Sequence, residues 1–262
     1  MEFLLHILAG AGVGFAIGLT GVGGGTLMTP LLLVFGYPAP VAIGTDLLYA
    51  AITKAGGAVS HHRRGNVDWK IVFLLAVGSI PVSILLHIFF LDVSFQESPE
   101  FESLLTFSLG VMLIVTAIIL IFRDKMRKGA VEERPEFVMA PIHKHRPTVT
   151  WVMGLLLGAC VTLSSVGAGA FGAAILLTIY SQTSAVRIIG TDIAHAVPLT
   201  FFAGLGYLIS GYVDLVLLLS LLIGSLPAIH LGTKVSSQVS DKMLQRILTI
   251  ILLGLGSYYS LI

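Results

Sequence analysis

The sequence predicts an all-α integral membrane protein built from two inverted repeats, each a broken or re-entrant helical unit followed by three transmembrane helices. Three observations carry this expectation. Of the 262 residues, 56% are hydrophobic and only 11% charged, with a mean hydropathy of +0.96, whereas soluble domains carry about 25% charged residues. One set of short motifs occurs twice in a single register. Each copy also carries a helix-breaking stretch inside apolar sequence, Gly21-Val-Gly-Gly-Gly25 in the first half and Ser165-Val-Gly-Ala-Gly169 in the second.

The first unit runs from Phe3 to Phe35 around its break. Four glycines in five residues cannot hold a helix, since each costs about 1 kcal/mol relative to alanine. A break in hydrocarbon is tolerated only where its backbone groups are buried in protein or line a polar cavity. The piece from Thr26 to Phe35 would reach only about 15 Å at 1.5 Å per residue, which is half a bilayer. The start of the chain has no basic flank or small-residue cleavage site, so it reads as part of the fold and not as a signal peptide.

Three spans follow, from about Val41 to Ser60, Trp69 to Leu91 and Phe101 to Phe122. Each has the roughly 20 residues that crossing requires. A stretch rich in charge and proline, residues 123–147, then divides a first repeat (1–122) from a second (148–262). In the second repeat the broken unit runs from Val149 to Tyr180, and the spans from Ala185 to Ser210, Val213 to Leu231 and Met243 to Ile262. The whole is read as one transport domain.

The duplication shows in the numbering. Gly44-Thr-Asp46 recurs as Gly190-Thr-Asp192, Val67-Asp68 as Val213-Asp214, and Gly78-Ser-Ile-Pro81 as Gly224-Ser-Leu-Pro227, each 146 residues on. Gly10, Gly14 and Gly23 match Gly154, Gly158 and Gly167 at an offset of 144. Charge sets the orientation, because Lys and Arg in short loops mark the cytoplasmic side. Arg63, Arg64 and Lys70 lie in one loop whose repeat carries none, and seven Lys and Arg lie in the linker. If the broken units return to the side they enter and every other span crosses, inversion puts all loop and span-end bases on the cytoplasmic face. Both termini then lie opposite.

Matching breaks in two halves are the best sequence pointer to a transporter's binding site. Their freed N–H groups would hold an anion at a helix start. Candidate binding residues are therefore Gly21, Gly23, Gly24 and Gly25 with Thr20 and Thr26, and Ser164, Ser165 and Gly167 in the second half. Gly10, Gly14 and Gly18, at four-residue spacing, read instead as close helix contacts. Lys54, about four turns into its span, is the only deeply placed base. Such a base carries an insertion cost of about 2.5–3.5 kcal/mol, so a role is expected of it, either binding the anion or pairing with Asp46 or Asp192. Its repeat position is Thr200.

Asp46 and Asp192, near the starts of matching spans, read first as helix N-caps. Their functional alternative is proton coupling, the work of membrane carboxylates in pumps and transporters. His195, three residues past Asp192 and on the same helical face, would share that proton. His61 and His62 beside Asp68 offer no third ligand at metal-site spacing, so no metal and no cofactor is expected. Cys160 is the only cysteine, which excludes an internal disulfide. A nucleotide loop is excluded because no Gly-Lys-Ser/Thr follows Gly25. A serine hydrolase would need a nucleophile motif that Leu163-Ser-Ser-Val166 lacks.

With Pro30 following the first break, Ala42-Ile-Gly-Thr-Asp46, and a basic loop ending Gly65-Asn-Val-Asp68, the chain resembles the TauE/SafE sulfite exporter family over nearly its whole length. The resemblance implies a secondary transporter in the cytoplasmic membrane, not an enzyme, that moves sulfite, sulfoacetate or a related organosulfonate, with a proton or other ion coupled. Its partners are the small anion, that ion and the lipid bilayer, with no nucleic acid; a homo-oligomer is compatible with this reading. The rival expectation is a cation or metal-ion transporter using Asp46, Asp192, His61 and His62. The second break departs from the glycine pattern, with Ser165 and Ala168 where Gly21 and Gly24 stand in the first.

Overall fold

A computed structural model describes residues 2–20, 26–89, 98–129, 145–235 and 241–261. The described residues form helices joined by turns, with no strand among them. The first half holds α1 (Glu2–Thr20), α2 (Met28–Val34), α3 (Ala39–Arg63), α4 (Trp69–Phe89) and α5 (Pro99–Gly129). The second holds α6 (Arg146–Ser164), α7 (Ala170–Ile179), α8 (Ala185–Ile209), α9 (Leu215–Val235) and α10 (Asp241–Leu261). Six of these helices, α1, α4, α5, α6, α8 and α9, are long and apolar enough to cross a membrane. α3 and α10 reach similar lengths with more polar residues, Asp46 and Lys54 among them in α3.

Most predicted spans recur within a few residues, and the departures have physical causes. α5 continues seven residues past Phe122 into the charged linker, because Arg, Lys and Met are good helix formers whatever their hydropathy. α2 is seven residues long, about 10 Å at helical rise, shorter than the half-bilayer piece expected. The rest of that piece is used in a turn at Thr26 and Leu27 and in the exit at Phe35 and Gly36.

The surface is apolar, as bilayer solvent demands, and the interior combines apolar packing with buried polar groups. Phe73, Phe89 and Ile250 are each about two-thirds exposed or more, whereas Thr45, Asp46, Ser79, Ser83, Asp192 and His195 are buried. Helices meet across the halves. α1 runs along α9 and α6 along α4, while α3 faces α8 and α5 faces α10. Each contact therefore maps onto itself or onto another when the halves are exchanged.

Glycines bring these helices together. A Cβ at Gly14 would lie 2.6 Å from the Ser225 carbonyl oxygen, and one at Gly78 2.6 Å from that of Trp151. Gly10 and Gly18 meet Leu221 and Ile229 in the same way, so the small-residue ladder of α1 is a contact surface. Numbers rise together in these two pairs, so α1 and α9, and α4 and α6, run parallel. In the other two they run in opposition: Gly44 meets Tyr207 while Gly190 meets His61, and Gly110 meets Ser260 while Gln245 donates to the Leu120 carbonyl. The sequence-matched helices α3 and α8 are therefore antiparallel neighbours, as are α5 and α10.

The repeated Val-Asp motif is a helix start. Asp68 Oδ1 accepts the Lys70 and Ile71 N–H groups at 3.1 and 3.4 Å. Asp214 Oδ1 accepts those of Val216 and Leu217 at 2.9 and 3.0 Å. These acids cap α4 and α9.

Candidate functional site

The second break defines the site. α6 ends at Ser165, which sits in the left-handed region at φ 58° and whose N–H reaches the Val161 carbonyl at 2.8 Å. Gly167 and Gly169 follow at φ 128° and 134°, and Gly169 precedes the first residue of α7. Such angles strain any side chain. Ala168, between them, is not among the positive-φ residues. The two glycines kept from the first-half pattern are therefore those whose backbone needs them, and alanine replaces the one whose backbone does not.

Three charged residues converge on this break. Asp46 and Asp192 do not cap their own helices. The N-cap positions of α3 and α8 are Pro38 and Ser184, and both aspartates lie two turns inside, 0% and 1% exposed. The capping expectation fails because each carboxylate serves a neighbouring half-helix instead. Asp46 Oδ2 accepts the Thr29 N–H at 3.2 Å and the Thr29 hydroxyl at 2.5 Å, in the first turn of α2. Asp192 faces the N–H of Gly169 at the start of α7, and its Oδ1, without a hydrogen-bond partner among the described residues, fills the space that a side chain at Gly172 would need. Matched acids thus meet matched half-helix starts, where freed N–H groups and the helix dipole favour negative charge.

Lys54 reaches from α3 in the first half to the break of the second. Its Nζ donates to the Ala168 carbonyl at 2.9 Å, one of the backbone groups that leaving the helix frees. The alternative of an ion pair with Asp46 or Asp192 is not met; among the described residues the ion pair present is Arg187 with Asp68 at 3.4 Å. The Lys54 charge nonetheless acts on Asp46, Asp192 and His195. Lys54 is half-buried. Its repeat partner Thr200 is buried and turns its hydroxyl to the Ala196 carbonyl at 2.8 Å.

The hydroxyls divide by role. Ser165 is buried and faces Asp46 without closing a hydrogen bond of ordinary geometry. Ser164 bonds its own chain, donating to the Cys160 carbonyl at 2.6 Å and accepting the Val166 N–H at 3.2 Å. Thr26 is buried beside the start of α2. Gly21, Gly23, Gly24 and Gly25 lie outside the described residues, as does the side chain of Thr20. The Trp69 indole N–H donates to His62 Nδ1 at 3.3 Å, and His61 lies against Gly190, at the end of α3 remote from Asp46.

The motifs did not single out Ser79 as a site residue. It is buried on α4, and its hydroxyl lies 2.8 Å from His195 Nε2 on α8. Ser79 is the serine of the repeated Gly-Ser-x-Pro motif, whose second copy holds Ser225. Ser225 in turn faces Tyr49, the repeat position of His195. The repeat register is the signal that could have found both pairs.

Comparison with known proteins extends this picture. The sequence profile of the family described as Sulfite exporter TauE/SafE matches residues 6–259. The probable membrane transporter protein YjnA of Bacillus subtilis is 38% identical over 251 residues, covering 95% of this chain and 96% of the relative. YdhB of the same organism, also a probable membrane transporter protein, is 29% identical and covers 92% and 94%. The probable membrane transporter protein MJ0441 of Methanocaldococcus jannaschii is 28% identical and covers 98% and 96%. No solved structure matches.

Proposed function

The chain belongs to the sulfite exporter TauE/SafE family of membrane transporters, and from that premise we propose that it is a secondary transporter of small sulfur oxyanions, coupled to protons and working by alternating access. The observation that carries this is the Lys54 ammonium, held at the Ala168 carbonyl in the break between α6 and α7. A fixed cation beside freed backbone N–H groups is suited to an oxyanion. Asp46 and Asp192 are the coupling carboxylates, with His195 beside Asp192 on α8. Both acids sit at half-helix starts, so a change of protonation there alters the charge that holds α2 and α7 in place. Thr20, Thr26, Ser164, Ser165, Gly167 and the first-break glycines are the proposed remainder of the binding surface.

Antiparallel neighbours matched in sequence are related by an axis lying across them, which supports inverted repeats. Rocking one repeat against the other then opens the site alternately to each side. The ion pair of Arg187 with Asp68 places a base of α8 beside the basic loop after α3, in support of a single cytoplasmic face bearing the linker, with both termini opposite.

Two buried carboxylates against one ammonium favour a cation as the rival cargo. A thermal-shift screen of purified wild type and Lys54→Ala with sulfite, thiosulfate, sulfoacetate, taurine, sulfate and divalent cations separates the two, since a ligand that binds the folded state stabilises it. Stabilisation by a sulfur oxyanion that is lost in Lys54→Ala supports the anion reading. Stabilisation by cations alone, unchanged in the variant, overturns it.

A further inference from the structure

The contact between Ser79 and His195 decides which ring nitrogen of His195 is available to a ligand. Buried hydroxyls on these helices ordinarily return their hydrogen to a carbonyl of their own helix, as Thr162, Ser164, Thr191 and Thr200 do. Among the described residues, the hydrogen-bond contact of the Ser79 hydroxyl is with the imidazole Nε2, at 2.8 Å. The serine hydrogen therefore goes to Nε2. A neutral imidazole carries a single N–H, so its hydrogen is on Nδ1. His195 is fully buried, and its Nδ1 has no partner among the described residues. A buried N–H without an acceptor is unfavourable, and the imidazole that carries this one lies within range of the Lys54 charge, three residues along α8 from Asp192.

We propose that Ser79 is a positioning residue that fixes His195 as its Nδ1–H tautomer, and that this N–H, together with the Lys54 ammonium, donates hydrogen bonds to the transported anion. The proposal rests on the anion-transport reading and adds to it a second donor and the residue that orients it. A neutral imidazole suffices, so binding needs no proton uptake at His195. The exchanged pair in the other half is unlike it: Tyr49 and Ser225 face each other without closing a hydrogen bond of ordinary geometry, and a phenol has no second nitrogen to offer. The halves thus share a fold and differ in what they present to the anion.

The test uses the full chain, labelled with nitrogen-15 histidine, in lipid nanodiscs, with His195 identified by its loss in His195→Gln. Nitrogen shifts report which ring nitrogen is protonated, and titration calorimetry with sodium sulfite, thiosulfate or sulfoacetate reports affinity. The expected result is Nδ1–H in wild type, a mixture with Nε2–H in Ser79→Ala, and an affinity for the bound anion about tenfold weaker in that variant. Ser225→Ala leaves the His195 tautomer unchanged. Nε2–H in wild type overturns the proposal and needs no variant to fold. Wild-type tautomer and affinity in Ser79→Ala overturn it equally. A wild-type protein that binds none of the three anions instead overturns the anion reading itself.

Discussion

Lys54 of the first repeat donates to the Ala168 carbonyl of the second at 2.9 Å, joining a base well inside α3 to the helix break of the opposite half. The bond satisfies an acceptor that the break sets free and leaves the ammonium within electrostatic range of Asp46, Asp192 and His195.

Lys54→Ala removes the charge and leaves that carbonyl unpaired. The apo protein is expected to lose about 1–3 kcal/mol, and the stabilisation by sulfur oxyanion, about 2.7 kcal/mol at one hundred times Kd, is expected to vanish. Thermal denaturation with and without anion measures both losses on one sample.

Asp46→Asn keeps an oxygen for the Thr29 N–H and hydroxyl, so α2 stays in place at a cost of about 1–2 kcal/mol. Asp192→Asn likewise keeps an oxygen facing the Gly169 N–H. Both variants are expected to retain anion exchange in proteoliposomes while losing accumulation driven by an imposed pH gradient. Wild-type accumulation in both would remove these carboxylates from the coupling role.

Gly172→Ala drives a methyl group onto Asp192 Oδ1. The carboxylate or α7 must shift, and transport is expected to fall at least tenfold with a stability loss of about 1–3 kcal/mol. At Gly12 and Gly254 nothing lies within 4 Å of an added Cβ, so alanine there is expected to be neutral in the same uptake assay.

In the break itself, Gly167→Ala and Gly169→Ala force a side chain into a left-handed backbone. Each is expected to cost about 1–2 kcal/mol, whereas Ser165→Gly relieves strain and is expected to be neutral or stabilising. The ranking of midpoints in detergent is the check, and equal effects of the substitutions at 165, 167 and 169 would contradict the backbone argument.

Cysteines placed at Leu48 and Gly204 are expected to crosslink, because α3 and α8 run antiparallel with these residues in contact. The side-chain atoms that crowd Gly204 are those of Leu48, which its cysteine removes, and the crosslink yield is compared with that of Leu48 paired to a cysteine at Phe202, on the exposed side of α8. Equal yields would argue against this register.

The apolar blocks, the duplication and the glycine breaks were legible in the sequence because hydrophobic length, repeat spacing and glycine content are local properties. So was the importance of Lys54, since a base deep in a span is costly wherever its side chain turns. The roles of the acids were not legible in the same way. Asp68 and Asp46 both stand near helix starts, yet one caps its own helix and the other caps α2. Which occurs depends on where the helix begins, at Ala39 and not nearer Asp46, and on a neighbour whose free N–H groups come within reach.

Membership of a membrane transporter family, the order of the helices and the positions of both breaks follow from the one-dimensional pattern of this chain. The convergence of Asp46, Lys54 and Asp192 on residues 165–172, and the contact of Ser79 with His195, were settled only by tertiary structure. Polar side chains inside a membrane protein find partners on their own helix or across helix interfaces, because hydrocarbon offers none. Those interfaces join residues more than a hundred positions apart.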